Sequence, residues 1–378
     1  MRKLLFWSHL IAGLLAGLII LLMSATGVVL TYERQLVTWA DTRGYRVTSP
    51  GAPPLTPEAL LTPLAARQPS SLTVYADPQR PALVQFPHDQ RLYLDPATGA
   101  ALGEGAPRVR AFLHSVMELH RWLAASGPLR PWGKAVTGAC NLLFLFLIVS
   151  GLCLWLPRRR TRAALRAVMV PRWHQNGRAR DFNWHNVAGF WMALPLLLVV
   201  TSGVVISYGW ASNLIYRMTG EEPPARKPRS SQEAPRALAG LDAFWAQAAA
   251  KQPGWRSLSV QIPAQDDTHI RFSLDQGNGG QPHLRSTLVL RRPSGDIEEW
   301  TPPHSGSPGQ RIRAFMRFAH TGEVFGLGGQ TVAGLASLVG VLLVYTGYAL
   351  TWRRYQAWRR RRLNGPFLEP EPEILPWD

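Results

Sequence analysis

Four long apolar runs alternate with two polar, short-period segments along the 378 residues. The runs lie at roughly Leu5–Thr31, Trp132–Leu156, Asn186–Tyr208 and Thr331–Trp352. Each is long enough to cross a bilayer as a helix. None contains Asp or Glu, and only Lys134, at one end, is charged. The first run is not read as a signal peptide. It is too long, no A-x-A site follows it, and a copy of it sits mid-chain.

The intervening segments, roughly Glu33–Pro131 and Ala211–Gln330, repeat one pattern. Each predicts a short helix, at Pro57–Arg67 and at Leu238–Lys251. Alternating strands follow at Leu72–Ala76, Ala82–Phe86 and Arg91–Leu94, and again at Ser257–Ile262, His269–Leu274 and Ser286–Arg291. Asp95-Pro-Ala-Thr-Gly99 and Arg292-Pro-Ser-Gly295 supply turns. Arg108-Val-Arg-Ala-Phe112 matches Arg311-Ile-Arg-Ala-Phe315. The expected architecture is an α-helical integral membrane protein. A four-helix transmembrane bundle from an internal duplication carries two small α+β modules outside the membrane. Its parts are a first span in 1–32, a module in 33–131, a span in 132–156 and a loop in 157–185. A span in 186–209, a module in 210–330, a span in 331–353 and a tail in 354–378 complete it. Glu221–Arg236 reads as a flexible linker, and the Pro- and Glu-rich stretch after Leu363 as poorly ordered.

Charge orients this arrangement. Arg2 and Lys3 precede the first span, Arg158, Arg159, Arg160, Arg162 and Arg166 follow the second, and Arg353, Arg354 and Arg359 to Arg362 follow the fourth. By the positive-inside rule both termini and the middle loop are cytoplasmic, and the modules lie on the other side. The net charge of +17 is therefore largely a topology signal. It does not mark nucleic-acid binding, because the basic runs flank spans and form no stripe on a domain. Attraction to anionic lipid head groups is compatible with it. Cys140 and Cys153 fall inside the second span, so the outer modules contain no disulfide. Many of the 15 Trp residues cluster near span ends, as an interfacial belt does.

The histidines carry the candidate chemistry. His9 and His185 each open an apolar run, and each sits 18 residues before a Gly, Gly27 or Gly203. His9-Leu-Ile-Ala-Gly13 parallels His185-Asn-Val-Ala-Gly189. An imidazole at that depth is costly without a partner. Repeating the cost at one depth suggests one object held from two sides, and a haem iron is the natural candidate. His120 and His320 hold corresponding places just outside the second and fourth spans, followed by Ser150-Gly151 and Thr346-Gly347. Two haems at opposite faces would form a route for electrons. Zinc fits less well, since it takes four ligands and these pairs lack nearby carboxylates or thiolates. His114, six residues before His120, is an alternative ligand to it. His88, His174, His269, His283 and His304 read as solvated, with His283 and His304 also able to touch a substrate.

The motifs Ser8-His9-Leu-Ile-Ala-Gly13, Leu119-His120-Arg-Trp-Leu123, Asn183-Trp-His185-Asn-Val-Ala-Gly-Phe190 and Ala319-His320-Thr-Gly322 make the chain resemble the PepSY-associated transmembrane family of iron-regulated bacterial inner-membrane proteins. The run from Phe182 to Tyr216 is similar to the branch that reduces ferric siderophores such as ferrioxamine. That resemblance implies four spans, two b-type haems and two PepSY-like periplasmic modules forming a vestibule. It also implies a ferric siderophore as substrate. No nicotinamide-binding G-x-G-x-x-G follows a strand, so the donor is external, a reductase or a quinol. Arg108, Arg110, Arg311, Arg313 and Arg317 are candidates for steering an anionic chelate or for anchoring an interface. Two rival readings are a PepSY-type binding or regulatory protein without redox activity and a siderophore permease. The permease would need broken or polar helices at mid-membrane, and the spans show little of either.

Overall fold

The computed structural model describes residues 1–48, 51–157, 161–224, 237–292 and 294–363. The tail after Leu363, most of the linker expected at Glu221–Arg236, and Arg158, Arg159 and Arg160 lie outside the described residues. In chain order the helices are α1 (Arg2–Leu30), α2 (Glu33–Thr42), α3 (Pro57–Leu61), α4 (Pro107–Trp122), α5 (Arg130–Trp155) and α6 (Arg162–Met169). Then come α7 (Gly177–Trp191), α8 (Ala193–Ser207), α9 (Gly209–Met218), α10 (Leu241–Lys251), α11 (Pro308–His320) and α12 (Gly326–Leu363). The chain divides into two compact units, one formed by Met1–Thr31, Leu113–Ser212 and the chain from Ala319, the other by Tyr32–Phe112 and Asn213–Phe318.

The first unit is helical. α1 packs on α5 and α12, and α7 and α8 pack on the same two helices. Three helical stretches, Arg2–Leu30, Gly127–Trp155 and Glu323–Leu363, are long and apolar enough to cross a membrane. Ala16 and Ala336 are fully buried between them, where a small side chain lets helices approach. A fourth span requires α7 and α8 together, and these are bent by 67° at Met192. This departs from the unbroken third span that the apolar run predicts. Pro195 explains it: proline has no N–H to donate and its ring crowds the carbonyl four residues back, at Trp191. α12 also runs well beyond its apolar run, because Arg and Gln are good helix formers in water.

The second unit is built on one antiparallel sheet. Its strands are β1 (Ser71–Tyr75), β2 (Ala82–Gln85), β3 (Arg91–Leu94), β4 (Ala101–Gly103), β5 (Ser257–Gln261), β6 (His269–Asp275), β7 (Arg285–Arg291) and β8 (Ile297–Thr301). They are ordered β4-β3-β2-β1-β5-β6-β7-β8. The two outer segments therefore do not form separate modules, as the sequence suggested. β1 and β5, each an open edge within its own segment, pair from Ser71↔Gln261 to Tyr75↔Ser257. An exposed edge left by either segment is satisfied by the other. Alternate residues, including Leu72, Leu258, Phe272 and Leu288, point into one core with Leu61 of α3 and Leu241 of α10. Truncating Leu72 or Leu258 to Ala removes a fully buried side chain and would cost about 2–5 kcal/mol.

Asp41 at the end of α2 organises the polar side of this unit. Its buried carboxylate accepts from Arg110 Nη1 at 2.6 Å, Tyr93 Oη at 2.7 Å and Ala106 N at 2.7 Å. Arg110 is thus an internal counter-ion and is not available to steer a chelate. Burial raises the Asp95 carboxyl, but hydrogen bonds from Thr48, Ala97 and Thr98 outweigh it and hold Asp95 below the usual carboxylate range.

Candidate functional site

Four histidines of the helical unit are held in one way. His9 Nδ1 lies 2.8 Å from Ser150 Oγ, and His120 Nδ1 lies 2.9 Å from Thr26 Oγ1. His185 Nδ1 lies 2.8 Å from Thr346 Oγ1, and His320 Nδ1 lies 3.2 Å from Ser202 Oγ. Each hydroxyl already gives its single proton to a carbonyl of its own helix. Thr26 donates to Leu22, Ser150 to Phe146, Ser202 to Val199 and Thr346 to Leu342, at 2.7–2.8 Å. A hydroxyl has one proton and two acceptor pairs, so the imidazole Nδ1–H must be the donor. For His320 the same tautomer follows from a second acceptor, the Val199 carbonyl at 2.8 Å. Nε2 of each ring then carries the lone pair that a metal takes.

A glycine follows each hydroxyl residue, and it faces the same ring. A Cβ at Gly27 would stand 3.7 Å from His120 Cε1, and at Gly151 3.4 Å from His9 Cε1. At Gly203 it would stand 3.3 Å from His320 Cε1, and at Gly347 3.8 Å from His185 Cε1. The Ser/Thr-Gly pairs, visible in the sequence as repeats, are therefore the imidazole supports. Sequence reasoning did not assign them that part. Hydrogen bonds also stay within each half of the chain. His9 and His120 lean on Ser150 and Thr26, while His185 and His320 lean on Thr346 and Ser202.

Around His9 and His185 lies a cavity of about 770 Å³, in the size range of small-molecule and cofactor sites. Gly13, Gly151, Gly189 and Gly347 line it without side chains, and Leu147, Ile148, Phe190 and Leu343 make its walls apolar. Trp155 and Phe190 stack at 4.1 Å and 9° beside it. The link between the second and third spans folds against the cavity rather than away from it. Ala164, Ala167 and Val168 line it, and Trp155 Nε1 donates to the Val168 carbonyl at 3.2 Å. Asn183 fixes that link, accepting from Arg172 N at 2.8 Å and donating to the Ala167 and Val170 carbonyls. Asp181, fully buried two residues earlier, pairs with Arg180 and Arg353.

His120 and His320 arrive differently. Each sits in the last turn of an amphipathic helix, α4 or α11, after which the chain reverses into a long helix. Glycine makes both reversals possible. A Cβ on Gly133 would fall 2.0 Å from the Trp122 carbonyl, and one on Gly329 would fall 2.4 Å from that of Gly322. The two imidazoles meet with ring centres 6.3 Å apart and planes at 62°. Two imidazole nitrogens each about 2 Å from one metal atom put their ring centres about 6 Å apart. Thr26 and His9 are both on α1, which places the two imidazole levels about 25 Å apart along that helix. Among the described residues no group of three or more His, Cys, Asp or Glu side chains converges. Among the described residues the imidazoles come as two pairs, His120 with His320 and His9 with His185 on one cavity.

The remaining candidates lie elsewhere. His114 faces Glu118 at 3.5 Å with its side chain 61% exposed, whereas the ring of His120 meets that of His320. Six residues turn a helix by about 600°, which carries the two side chains to different faces. His269 hydrogen-bonds Glu298, and the rings of His283 and His304 lie 5.3 Å apart at 46°, all in the sheet unit. Arg108, Arg311 and Arg317 remain exposed, and Arg313 also lies on the surface of α11.

The profile of one protein family, the PepSY-associated TM region, matches residues 6–354. No curated protein matches the chain significantly.

Proposed function

The chain belongs to the PepSY-associated TM family, and from its paired imidazoles we propose an inner-membrane b-haem protein that carries electrons across the bilayer. On this reading it reduces a ferric siderophore on the periplasmic side and releases Fe(II). Its four spans form a bundle from an internal duplication, with both termini cytoplasmic. The supporting observation is the set of four histidines whose Nδ1–H is committed to a hydroxyl, leaving Nε2 for iron. Each half supplies one imidazole to each level, so neither half alone has a pair.

The residues fit a haem. His9 and His185 would hold one and His120 and His320 the other, and bound haem iron would supply one-electron transfer. The Ser and Thr hydroxyls orient the rings and make them better donors, the part that outer-shell partners take in metal sites. Gly13, Gly151, Gly189 and Gly347 leave flat space beside His9 and His185. Hard siderophore oxygens hold Fe(III) far better than Fe(II), so electron delivery alone releases the metal. No acid, base or nucleophile is needed from the chain. The donor is an external reductase or quinol, and membrane lipids surround the spans.

The test is a reduced-minus-oxidised absorption spectrum of full-length protein purified from haem-replete cells, with haem counted per chain. Two b-type haems per chain are expected. Absence of b-type bands sinks the reading. The break at Met192 favours one other reading, a siderophore permease, since broken helices line transporter sites. Uptake of ferric siderophore into proteoliposomes without any reductant would support it.

A further inference from the structure

The cavity around His9 and His185 has an uneven charge distribution. Its charged lining residues are Arg172, Arg178 and Arg354, and no Asp or Glu touches it. Arg178 precedes His185 by seven residues on α7, and Arg354 follows Gly347 by seven on α12. Both therefore sit about 10 Å along their helices from the imidazole level. They lie toward the same end, because the buried Asp181 ties Arg180 of α7 to Arg353 of α12.

Positive-inside topology accounts for arginines at this end. It does not account for their partners. Arg180 and Arg353 share the one carboxylate of Asp181. Arg172, Arg178 and Arg354 have no carboxylate partner among the described residues, although an apolar cavity opens beside them. Arg354 stacks on Phe6 and Trp7, at 5.2 and 4.9 Å from the ring centres, which leaves the guanidinium edge free to donate. Arg172 and Arg178 are exposed at the cavity, so one end of an apolar chamber is rimmed by guanidinium donors with no acidic residue in its lining.

We propose that Arg172 and Arg178, with Arg354 beside them, bind the paired carboxylates of the macrocycle held by His9 and His185. The inference rests on the haem reading. It adds that this site recognises the anionic edge of its ligand as well as the iron. Arginine presents a planar fork of donors that matches a carboxylate, and such charge-assisted pairs are about twice as strong as neutral ones. The carboxylates would face the end of the cavity that carries α6 and the Asn183-fixed link, and the apolar ring would lie among the glycines.

The experiment is a titration of full-length apoprotein in detergent with haemin and with haemin dimethyl ester, whose carboxylates carry no charge. It is run on the native chain and on H120A/H320A, which isolates the cavity site. A preference of about 100-fold for haemin over the ester is expected, roughly tenfold for each charged pair. R172Q/R178Q should reduce that preference to near unity, and R172K/R178K should keep part of it. Equal binding of haemin and ester by H120A/H320A overturns the inference and leaves the haem reading standing. Binding of neither overturns both. Equal binding together with loss of a co-purifying anionic phospholipid from R172Q/R178Q would assign the arginines to a lipid head group instead. The comparison on H120A/H320A, with the cavity site isolated, decides the matter even if the arginine variants do not fold.

Discussion

The two imidazole pairs use the same donor set and reach it by different routes. His9 and His185 stand within long helices, α1 and α7, and face a chamber of about 770 Å³. His120 and His320 ride on the last turns of α4 and α11, and their rings already stand 6.3 Å apart. One site is shaped by what the surrounding helices leave out, the other by two chain reversals that push their ends together. The supports differ as well. His320 Nδ1 has both Ser202 Oγ and the Val199 carbonyl within reach, whereas Ser150 is the hydrogen-bond partner of His9 among the described residues. A site that depends on one hydroxyl is more fragile than a site with two acceptors.

The largest effects separate the two sites outright. H185A removes one imidazole of the cavity pair, and H120A one of the ring pair. Each is expected to lower haem from two per chain to one and to abolish electron delivery to a ferric chelate. H114A is expected to keep both haems, because its ring is exposed beside Glu118. Haem counted per chain in the purified variants decides this. Loss of both haems from either single variant would break the two-site comparison. Loss of one haem from H114A would break the assignment of His120.

Much of this contrast is legible in the sequence, and what is missing has physical reasons. The apolar runs locate α1, α5 and α12, because a span must be apolar over its whole length. The strand alternation locates β1–β3 and β5–β7 to within a residue or two. Pairing of β1 with β5 is not legible, since a strand's pattern shows its buried face and not the neighbour at its edge. The bend at Met192 was marked by Pro195, but the apolar run around it hides the break. The histidines stand out by repetition. Their supports do not, because Ser150-Gly151 or Thr346-Gly347 inside a helix reads equally well as close packing. Asp41 is still less legible, as its partners Tyr93, Ala106 and Arg110 are 52 to 69 residues away.

Smaller effects test the supports. S150A leaves His9 Nδ1 without its hydroxyl, and loss of such an outer-shell partner costs about 10–100-fold in metal affinity. S202A should cost less, because the Val199 carbonyl still accepts from His320 at 2.8 Å. Haem retention during chelator-free dilution, followed at the b-type bands, gives the order. Equal losses from S150A and S202A would show that the number of acceptors does not set the fragility of a site.

The smallest expected difference concerns the glycines, and it runs in the opposite direction. A Cβ at Gly203 would meet Asn141 Nδ2 at 3.0 Å as well as His320 Cε1 at 3.3 Å. Asn141 cannot retreat freely, because its Nδ2 donates to the Val200 carbonyl at 3.0 Å. A Cβ at Gly347 would meet its nearest neighbour, His185 Cε1, at 3.8 Å, an ordinary contact. G203A should therefore overpack the ring pair at a cost of about 1 kcal/mol, the low end of such substitutions. G347A should be close to neutral for the protein alone. Thermal release of haem, monitored separately for the two spectral components, distinguishes them. G203A should lower the release temperature of one component by a few degrees, and G347A should leave both in place. If G347A proves the more damaging, the space beside His185 is filled by the bound macrocycle more tightly than the protein's own atoms indicate. The cavity end would then be the more closely fitted of the two.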